Sequence, residues 1–182
     1  PGLKGISLFI VPKFLVNADG SLGKRNDLIC ASIEHKLGIH GSPTAVMSYG
    51  ENEGAVGYLI GDENKGIGYM FTMMNHARVN VGLEGVGIAE RAYQHALWYA
   101  RERVQGKIIG DKSDEKKTIL HHPDVRRMLM DVKSRTEAMR TLAYYTAANI
   151  DRAHAGNAEA QSRVDLLTPV VKGWSTEQGV EL

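Results

Sequence analysis

The spacing of apolar positions differs between the first part of the chain and the rest. Over residues 1–60 the apolar residues form short runs bounded by glycine, proline and polar turn residues, a pattern typical of β-strands. From Tyr69 to Gly106 they return at steps of three and four with no proline, which predicts one long helix. Because a globular helix averages about three turns, a helix of about ten turns must be held by several neighbours, as in a bundle.

The N-terminal part is predicted to contain three or four strands. They cover Ile6 to Val11, which we expect to be buried, Leu28 to Ile33, Ala45 to Tyr49 and Ala55 to Ile60. The run NADGSLG at 17–23 predicts a hairpin or a wide loop after the first strand. So few strands are expected to form half a barrel or an open sheet with one bare edge.

The rest of the chain is predicted to form three long antiparallel helices. After the long helix, residues 107–118 make a charged loop that we expect to be exposed and mobile, and Pro123 suits the first turn of a second helix. This helix should end near 154–156, with Gly156 as the residue just after its end, and Asn157 should cap a third helix. We expect the third helix to be kinked or interrupted at Pro169.

The second and third helices carry apolar faces. The predicted apolar stripe of the second helix consists of Val125, Met128, Leu129, Val132, Met139, Leu142, Ala143 and Thr146. Three helices leave part of the third without a neighbour, and the side chains concerned are Leu166, Val170, Val171 and Trp174. We therefore expect the chain either to expose an apolar patch or to self-associate.

We place the boundary between the two parts at Asn64, within a segment rich in glycine and capping residues. The predicted fold class is α+β, with a partial antiparallel β domain followed by a long-helix up-down bundle. Both ends of the chain lack the signals of a natural terminus, so we expect it to be a segment of a longer protein.

Composition narrows the functional classes. The chain has 22 Lys and Arg against 21 Asp and Glu, scattered along its length, which argues against a nucleic-acid surface. The apolar run ISLFIV is too short to span a membrane. One cysteine, Cys30, excludes an internal disulfide framework, and we expect it to be a small buried residue in a cytoplasmic protein.

Motifs that indicate chemistry are few. His35 and His40 are five residues apart and would point in different directions, so we predict no metal site there. For His121 and His122, next to the start of the second helix, a capping role is expected. The sequence contains no P-loop, nucleophile elbow or dinucleotide fingerprint.

Two sets of residues inside the long helix need an explanation. Gly82, Gly85 and Gly87 each weaken a helix by roughly 1 kcal/mol, and we interpret them as points of close helix packing. Asn75 and Arg78 fall within one turn near the predicted domain boundary, where ligands often bind. Taken alone, these two polar residues are more typical of a solvated face than of a site.

Four runs of residues resemble the acyl-CoA dehydrogenase superfamily. They are GSPTAVMSYG (41–50), MMNHARVNVG (73–82), GIAERAYQHALWYARERVQG (87–106) and HHPDVRRMLMDV (121–132). The resemblance is closest to the bacterial branch that includes 3-methylmercaptopropionyl-CoA dehydrogenases. It implies that residues 1–64 are the C-terminal part of the middle β domain of such an enzyme. Residues 65–182 would then be the first three helices of its C-terminal four-helix bundle.

The resemblance also implies a function and four site residues. Family members remove the α-proton of an acyl-CoA with a carboxylate and transfer the β-hydride to FAD; as homo-oligomers they pass electrons to an acceptor of the electron-transfer flavoprotein type. Arg78 matches the arginine that lines the acyl-CoA pocket, and Asn75 matches the residue that contacts the pantetheine arm, where many members have Asp. Arg103 and Gln105 match residues that reach the FAD pyrophosphate of a neighbouring subunit, a contact that guanidinium suits.

The family resemblance assigns no catalytic residue within this chain. The family's base is usually a Glu beyond the third helix, and in a minority of members it directly precedes the pocket arginine, where this chain has Ala77. We therefore expect the isolated chain to be inactive and to bind FAD weakly or not at all. The alternative is a helical interaction module of the same fold without redox activity.

Overall fold

The computed structural model describes residues 2–182, which divide into two compact units between Phe71 and Thr72. The first unit contains the strands and the second contains most of the helical residues. Each unit is described by itself below.

Six short strands of the first unit pair into three antiparallel two-stranded sheets within the described residues. Glycine- and asparagine-rich turns separate them, so each strand is short. A 3₁₀ turn at Leu3–Gly5 precedes the first strand. The pairs are β1 (Leu8–Ile10) with β6 (Tyr58–Ile60), β2 (Phe14–Val16) with β3 (Leu22–Arg25), and β4 (Leu28–Ile33) with β5 (Ala45–Tyr49).

The predicted strands are confirmed in part. β4 and β5 have the predicted bounds and pair with Leu28 opposite Tyr49. The prediction that the first strand is buried is wrong, since Phe9 and Ile10 in β1 are 51% and 58% exposed. Cys30 is also exposed rather than buried. The reason is the same in both cases, because the described strands pair only two by two and a two-stranded sheet leaves much of its side-chain surface accessible.

The run NADGSLG forms the predicted hairpin rather than a wide loop. Asn17 N–H donates to Ser21 O and Gly20 N–H donates to Asn17 O, each at 2.9 Å. The sequence reading missed the two strands that this turn connects, because runs of three and four residues are too short to show an alternation.

A buried asparagine links separate segments of the first unit. Asn26 is 5% exposed, and its Nδ2 donates to Pro12 O at 2.9 Å and to Val56 O at 2.8 Å. Its Oδ1 accepts from Val56 N at 2.9 Å. The neighbouring Asp27 accepts the backbone N–H groups of 52–54, and the bonds from Asn52 do most to lower the pKa of its carboxyl. These bonds give the unit contacts that its short strands do not supply.

The three predicted helices are confirmed, with shifted ends for the first. α1 spans Gly66–Glu102, beginning three residues before and ending four residues before the prediction. α2 spans Pro123–His154 after a 3₁₀ turn at Ile119–His121, with proline at its first turn as predicted. α3 spans Ala158–Glu181. Among residues 2–182, none of these helices combines the length and apolar character that crossing a lipid bilayer requires.

The turn between α2 and α3 also follows the prediction. Gly156 has a φ of 90°, a left-handed conformation that only glycine adopts easily. Asn157 caps α3 by accepting a hydrogen bond from Ala160 N at 2.9 Å. Of the two alternatives expected at Pro169, a kink or an interruption, the interruption is wrong, because α3 continues through the proline. Thr168 and Val171, on either side of the proline, are both buried.

Contacts between the helices define an up-down-up arrangement. Glu90 and Arg140 form an ion pair between α1 and α2, and Lys133 lies over the Tyr93 ring. From Glu90 to Tyr93 the number in α1 rises, whereas that of the α2 partner falls from 140 to 133, so the two helices are antiparallel. The α1 glycines 82 and 85 meet residues 171 and 175 of α3 in the same order, so α1 and α3 are parallel.

The apolar stripe of α2 is confirmed in its C-terminal half and partly wrong before it. Met128 is 47% exposed, because the adjacent Leu129, at 8%, is the residue that turns into the core at this point of α2. Val171, expected to lack a partner, is fully buried, whereas Leu166 and Val170 are exposed as expected. The buried residues of α2 are Leu129, Thr136, Met139, Ala143, Thr146 and Asn149.

Two glycines explain why Val171 is buried. A Cβ at Gly82 would lie 2.5 Å from Val171 Cγ1, and a Cβ at Gly85 would lie 2.2 Å from Ser175 O. α3 also contributes a glycine to this contact, since a Cβ at Gly179 would lie 2.9 Å from Gly85 Cα. Close packing is therefore confirmed at Gly82 and Gly85.

Gly87 does not follow this interpretation, because a Cβ there would meet nothing within 4 Å. It serves as a control for a stability prediction. We expect Gly85→Ala to destabilise the chain by about 1–3 kcal/mol, because α1 and α3 must separate to admit the methyl group. Gly87→Ala should instead be neutral or stabilising by up to about 1 kcal/mol, since alanine favours a helix. Urea unfolding of both variants tests this, and equal unfolding free energies for the two would contradict it.

Candidate functional site

The predicted substrate-binding residues lie together near the N-terminal end of α1. Asn75 and Arg78 are three residues apart in a helix, which places their side chains on one face. Arg78 Nη1 donates to Asn75 Oδ1 at 3.2 Å, and both residues are half-buried. Since Oδ1 accepts from the guanidinium, the Nδ2 group of Asn75 is left to donate to a different acceptor.

The predicted cofactor-binding residues form a second pair just beyond α1. Arg103 Nε and Nη2 donate to Gln105 Oε1 at 3.3 and 3.1 Å. Both side chains are exposed, and within residues 2–182 Arg103 takes part in no ion pair. The guanidinium therefore keeps its charge available to an anion, and the Gln105 amide N–H groups supply further donors.

An extended backbone brings these two side chains to the same side. Arg103 N–H still donates to Tyr99 O at 2.9 Å, but Val104 forms an isolated antiparallel bridge with Thr118. In extended chain, residues i and i+2 point to the same face. The extended conformation at Val104 therefore places the Arg103 and Gln105 side chains on the same side of the backbone, where they form their hydrogen bonds.

His122 contacts the same segment from the start of α2. Its Nε2 lies 2.9 Å from Gln105 O, and since a carbonyl only accepts, this nitrogen carries the proton. The expected capping role is wrong for this side chain, because within the described residues it makes no cap hydrogen bond to α2. The neighbouring His121 contacts Thr118 in its own turn. Sequence reasoning missed the contact of His122, because it joins residues that are distant in the sequence.

The loop at 107–118 is organised around an ion pair. Lys117 Nζ donates to Asp111 Oδ2 at 2.7 Å, and Ser113 N donates to Asp111 Oδ1 at 3.0 Å. Asp111 is largely shielded, with 18% of its side chain exposed, although most of the loop is exposed as expected. The bond from Lys117, followed by those from Ser113, lowers the pKa of this carboxyl to about 2.

A third group of charged residues joins α1 and α2. Glu90 accepts hydrogen bonds from Gln94 and Arg140, and Arg140 also pairs with Glu137. The bond from Gln94, followed by that from Arg140, lowers the pKa of Glu90. A carboxylate held in this way is a weak base, so we assign Glu90 a structural role.

Comparison with known proteins identifies the family of the chain. The profile described as "Acyl-CoA dehydrogenase, C-terminal domain" matches residues 64–181. The chain belongs to the acyl-CoA dehydrogenase family. The resemblance read from the sequence is thereby confirmed, as is the partial β domain followed by bundle helices.

Curated members of the acyl-CoA dehydrogenase family match nearly the whole chain. The chain is 50% identical to 3-methylmercaptopropionyl-CoA dehydrogenase of Ruegeria pomeroyi, over 100% of the chain and 31% of that protein. It is 44% identical to a butyryl-CoA dehydrogenase of Syntrophomonas wolfei over 88% of the chain and 27% of that protein. A broad-specificity linear acyl-CoA dehydrogenase of Mycobacterium tuberculosis is 41% identical over 98% of the chain and 31% of its own length. The chain thus spans about a third of the length of these relatives.

Two solved structures share the fold of the chain. The Caenorhabditis elegans protein ACDH-11 in complex with C11-CoA superposes with a TM-score of 0.79 at 25% identity, covering 99% of the chain and 28% of that structure. Butyryl-CoA dehydrogenase of Megasphaera elsdenii gives 0.66 at 25% identity, covering 99% of the chain and 42% of that structure.

The ion pair in the loop at 107–118 leads to a pH prediction. Because the pKa of Asp111 in the folded chain lies at about 2, below the ordinary 3.8, its contribution to stability is present above about pH 4. That contribution is lost as the pH falls through about 2. NMR of the carboxyl carbon should therefore show Asp111 still mostly ionised at pH 3. In Lys117→Gln the same carboxyl should be more protonated at pH 3, while Lys112→Gln should leave it unchanged. A carboxyl that titrates near 3.8 in the unaltered chain would show that the ion pair does not persist in solution.

Proposed function

We propose that this chain is part of a longer FAD-dependent acyl-CoA dehydrogenase. The observation that carries the proposal is the 50% identity along the whole chain to a dehydrogenase of which the chain covers 31%. In this proposal residues 1–64 end the middle β domain and residues 65–182 begin the C-terminal bundle. The family profile, which begins at residue 64, supports a boundary near Asn64.

We propose that Arg103 and Gln105 bind the FAD pyrophosphate. The donor set fits this group, because an exposed guanidinium and an amide side by side offer several N–H donors to phosphate oxygens. Bound FAD would supply the hydride acceptor of the reaction. The role of the two residues is to hold and orient the cofactor.

We propose that Arg78 and Asn75 line the site for the acyl-CoA thioester. The hydrogen bond between them fixes the direction of the Asn75 amide, whose N–H groups can then donate to a carbonyl of the pantetheine arm. Curated relatives named for butyryl-CoA and 3-methylmercaptopropionyl-CoA support an acyl-CoA as substrate. ACDH-11, solved in complex with C11-CoA, supports the same substrate class.

The reaction we propose introduces an α,β double bond. A carboxylate would remove the α-proton, bound FAD would supply the acceptor for the β-hydride, and a partner of the electron-transfer flavoprotein type would receive the electrons. We assign no residue of this chain as that base, since Ala77 precedes Arg78 and Glu90 is held by Arg140. We further propose a homo-oligomeric enzyme in the cytoplasm.

The proposal predicts different flavin content and activity for the full-length protein and for the isolated chain. The full-length protein should purify with flavin absorbance and reduce a dye when an acyl-CoA is added. Residues 1–182 alone should show neither activity nor tight FAD binding, because they supply no base and few cofactor contacts. A full-length protein without flavin bands would instead favour a helical interaction module, and dye reduction by the isolated chain would refute the assignment of the base elsewhere.

The two side-chain pairs should affect different ligands. In the full-length enzyme, Arg103→Ala should weaken FAD binding about 10- to 100-fold, because a charge-assisted contact is lost. Arg78→Ala should raise KM for the acyl-CoA at saturating FAD and leave FAD affinity within about twofold. Arg101→Ala, a neighbouring exposed arginine, is the control for charge. Equal loss of FAD affinity in the variants of Arg101 and Arg103 would contradict the specific role of Arg103.

A further inference from the structure

We infer that His122 is a positioning residue for the FAD-binding pair Arg103 and Gln105. This inference rests on the proposed function, because it assumes that Arg103 and Gln105 bind FAD. His122 would act through the backbone of Gln105 rather than by touching the cofactor.

Two carbonyl groups fix the extended segment that follows α1. Arg103 O accepts from Ile119 N at 2.7 Å, and Gln105 O accepts from His122 Nε2 at 2.9 Å. These carbonyls belong to alternate residues, so both point toward the segment leading into α2. Held at both points, the intervening Val104 stays extended and keeps the Arg103 and Gln105 side chains on a common face.

The two anchors differ in how they can be altered. The first joins two backbone groups, so no single side-chain change removes it. The second depends on the imidazole of His122. That ring also lies beside Gly106, where a Cβ would be 3.6 Å from His122 Cε1. Gly106 has a φ of 70°, so the chain turns away directly after the anchored carbonyl.

The position of His122 in the helix strengthens the inference. It occupies the N-cap of α2, where Ser, Thr, Asp or Asn would use its side chain to accept from the first turn, a contact worth about tenfold in folding equilibrium. Within the described residues, the His122 side chain makes no such bond and contacts Gln105 instead. Residues that depart from such a local preference are expected at functional positions. His122 departs from the N-cap preference and contacts the segment proposed to bind FAD.

Substitutions of different length separate positioning from helix capping. Asn is a better N-cap than His but is too short to reach Gln105 O, whereas Gln can place an amide N–H near the position of Nε2. We expect His122→Asn and His122→Ala to weaken FAD binding by the full-length enzyme about three- to tenfold. His122→Gln should restore affinity to within about twofold of the unaltered enzyme. His121→Ala, whose histidine contacts only its own turn among the described residues, should leave FAD affinity unchanged.

The measurement is fluorescence titration of FAD into each apoprotein, together with its thermal midpoint. For His122→Asn we expect unchanged or raised thermal stability with weakened FAD affinity, a combination that a purely structural role cannot produce. FAD affinities that follow thermal stability across the variants of His122 would overturn the inference, as would unchanged affinity in His122→Ala.

Arg103→Ala distinguishes failure of the inference from failure of the proposed function. If that variant weakens FAD binding and the variants of His122 do not, the positioning role is wrong and the FAD site stands. If Arg103→Ala leaves FAD affinity unchanged, the FAD site itself is wrong and the inference falls with it. Hydrogen exchange supplies a readout without cofactor, because the amides of 103–106 should exchange faster in His122→Ala than in His122→Gln.

Discussion

The close approach of α1 and α3 is the constraint on which the helical unit depends. Where a side chain at Gly85 would collide with Ser175 O, the two backbones touch without any side chain between them. This contact buries Val171 against Gly82. α2 then packs against α3 through its stripe of buried residues and against α1 through the ion pair of Arg140 with Glu90.

The length of α1 links the two proposed binding pairs. Arg78 and Arg103 are 25 residues apart, since 103 − 78 = 25, and at 1.5 Å per residue the helix separates them by about 38 Å. Close packing along α1 keeps this separation fixed. We propose that the first pair, within α1, binds acyl-CoA and the second, just beyond the C-terminal end of α1, binds FAD, so α1 would set the spacing between the two contacts. The same proposal accounts for an α1 of 37 residues where a shorter helix could complete a bundle.

Features set by neighbouring residues could be predicted from the sequence, and features set by distant ones could not. Pro123 and Asn157 mark helix starts through local geometry, and the structure has both where they were predicted. Val171 was judged wrongly because its partner, Gly82, lies far away in the sequence. The candidate site residues divide in the same way. The pairing of Asn75 with Arg78 follows from helical spacing, whereas the contact between His122 and Gln105 depends on how the chain returns after the loop at 107–118.

The bridge between Val104 and Thr118 has a consequence for how this part of the chain can change in length. Because the bridge closes the base of the loop, residues added at the loop tip only enlarge a closed ring, which costs little in chain entropy. A residue inserted between Arg103 and Gln105 would instead turn the amide to the opposite side of the backbone. A change in chain length on the loop side of Gly106 therefore leaves the Arg103–Gln105 pair intact, whereas one between Arg103 and Gln105 separates the two side chains.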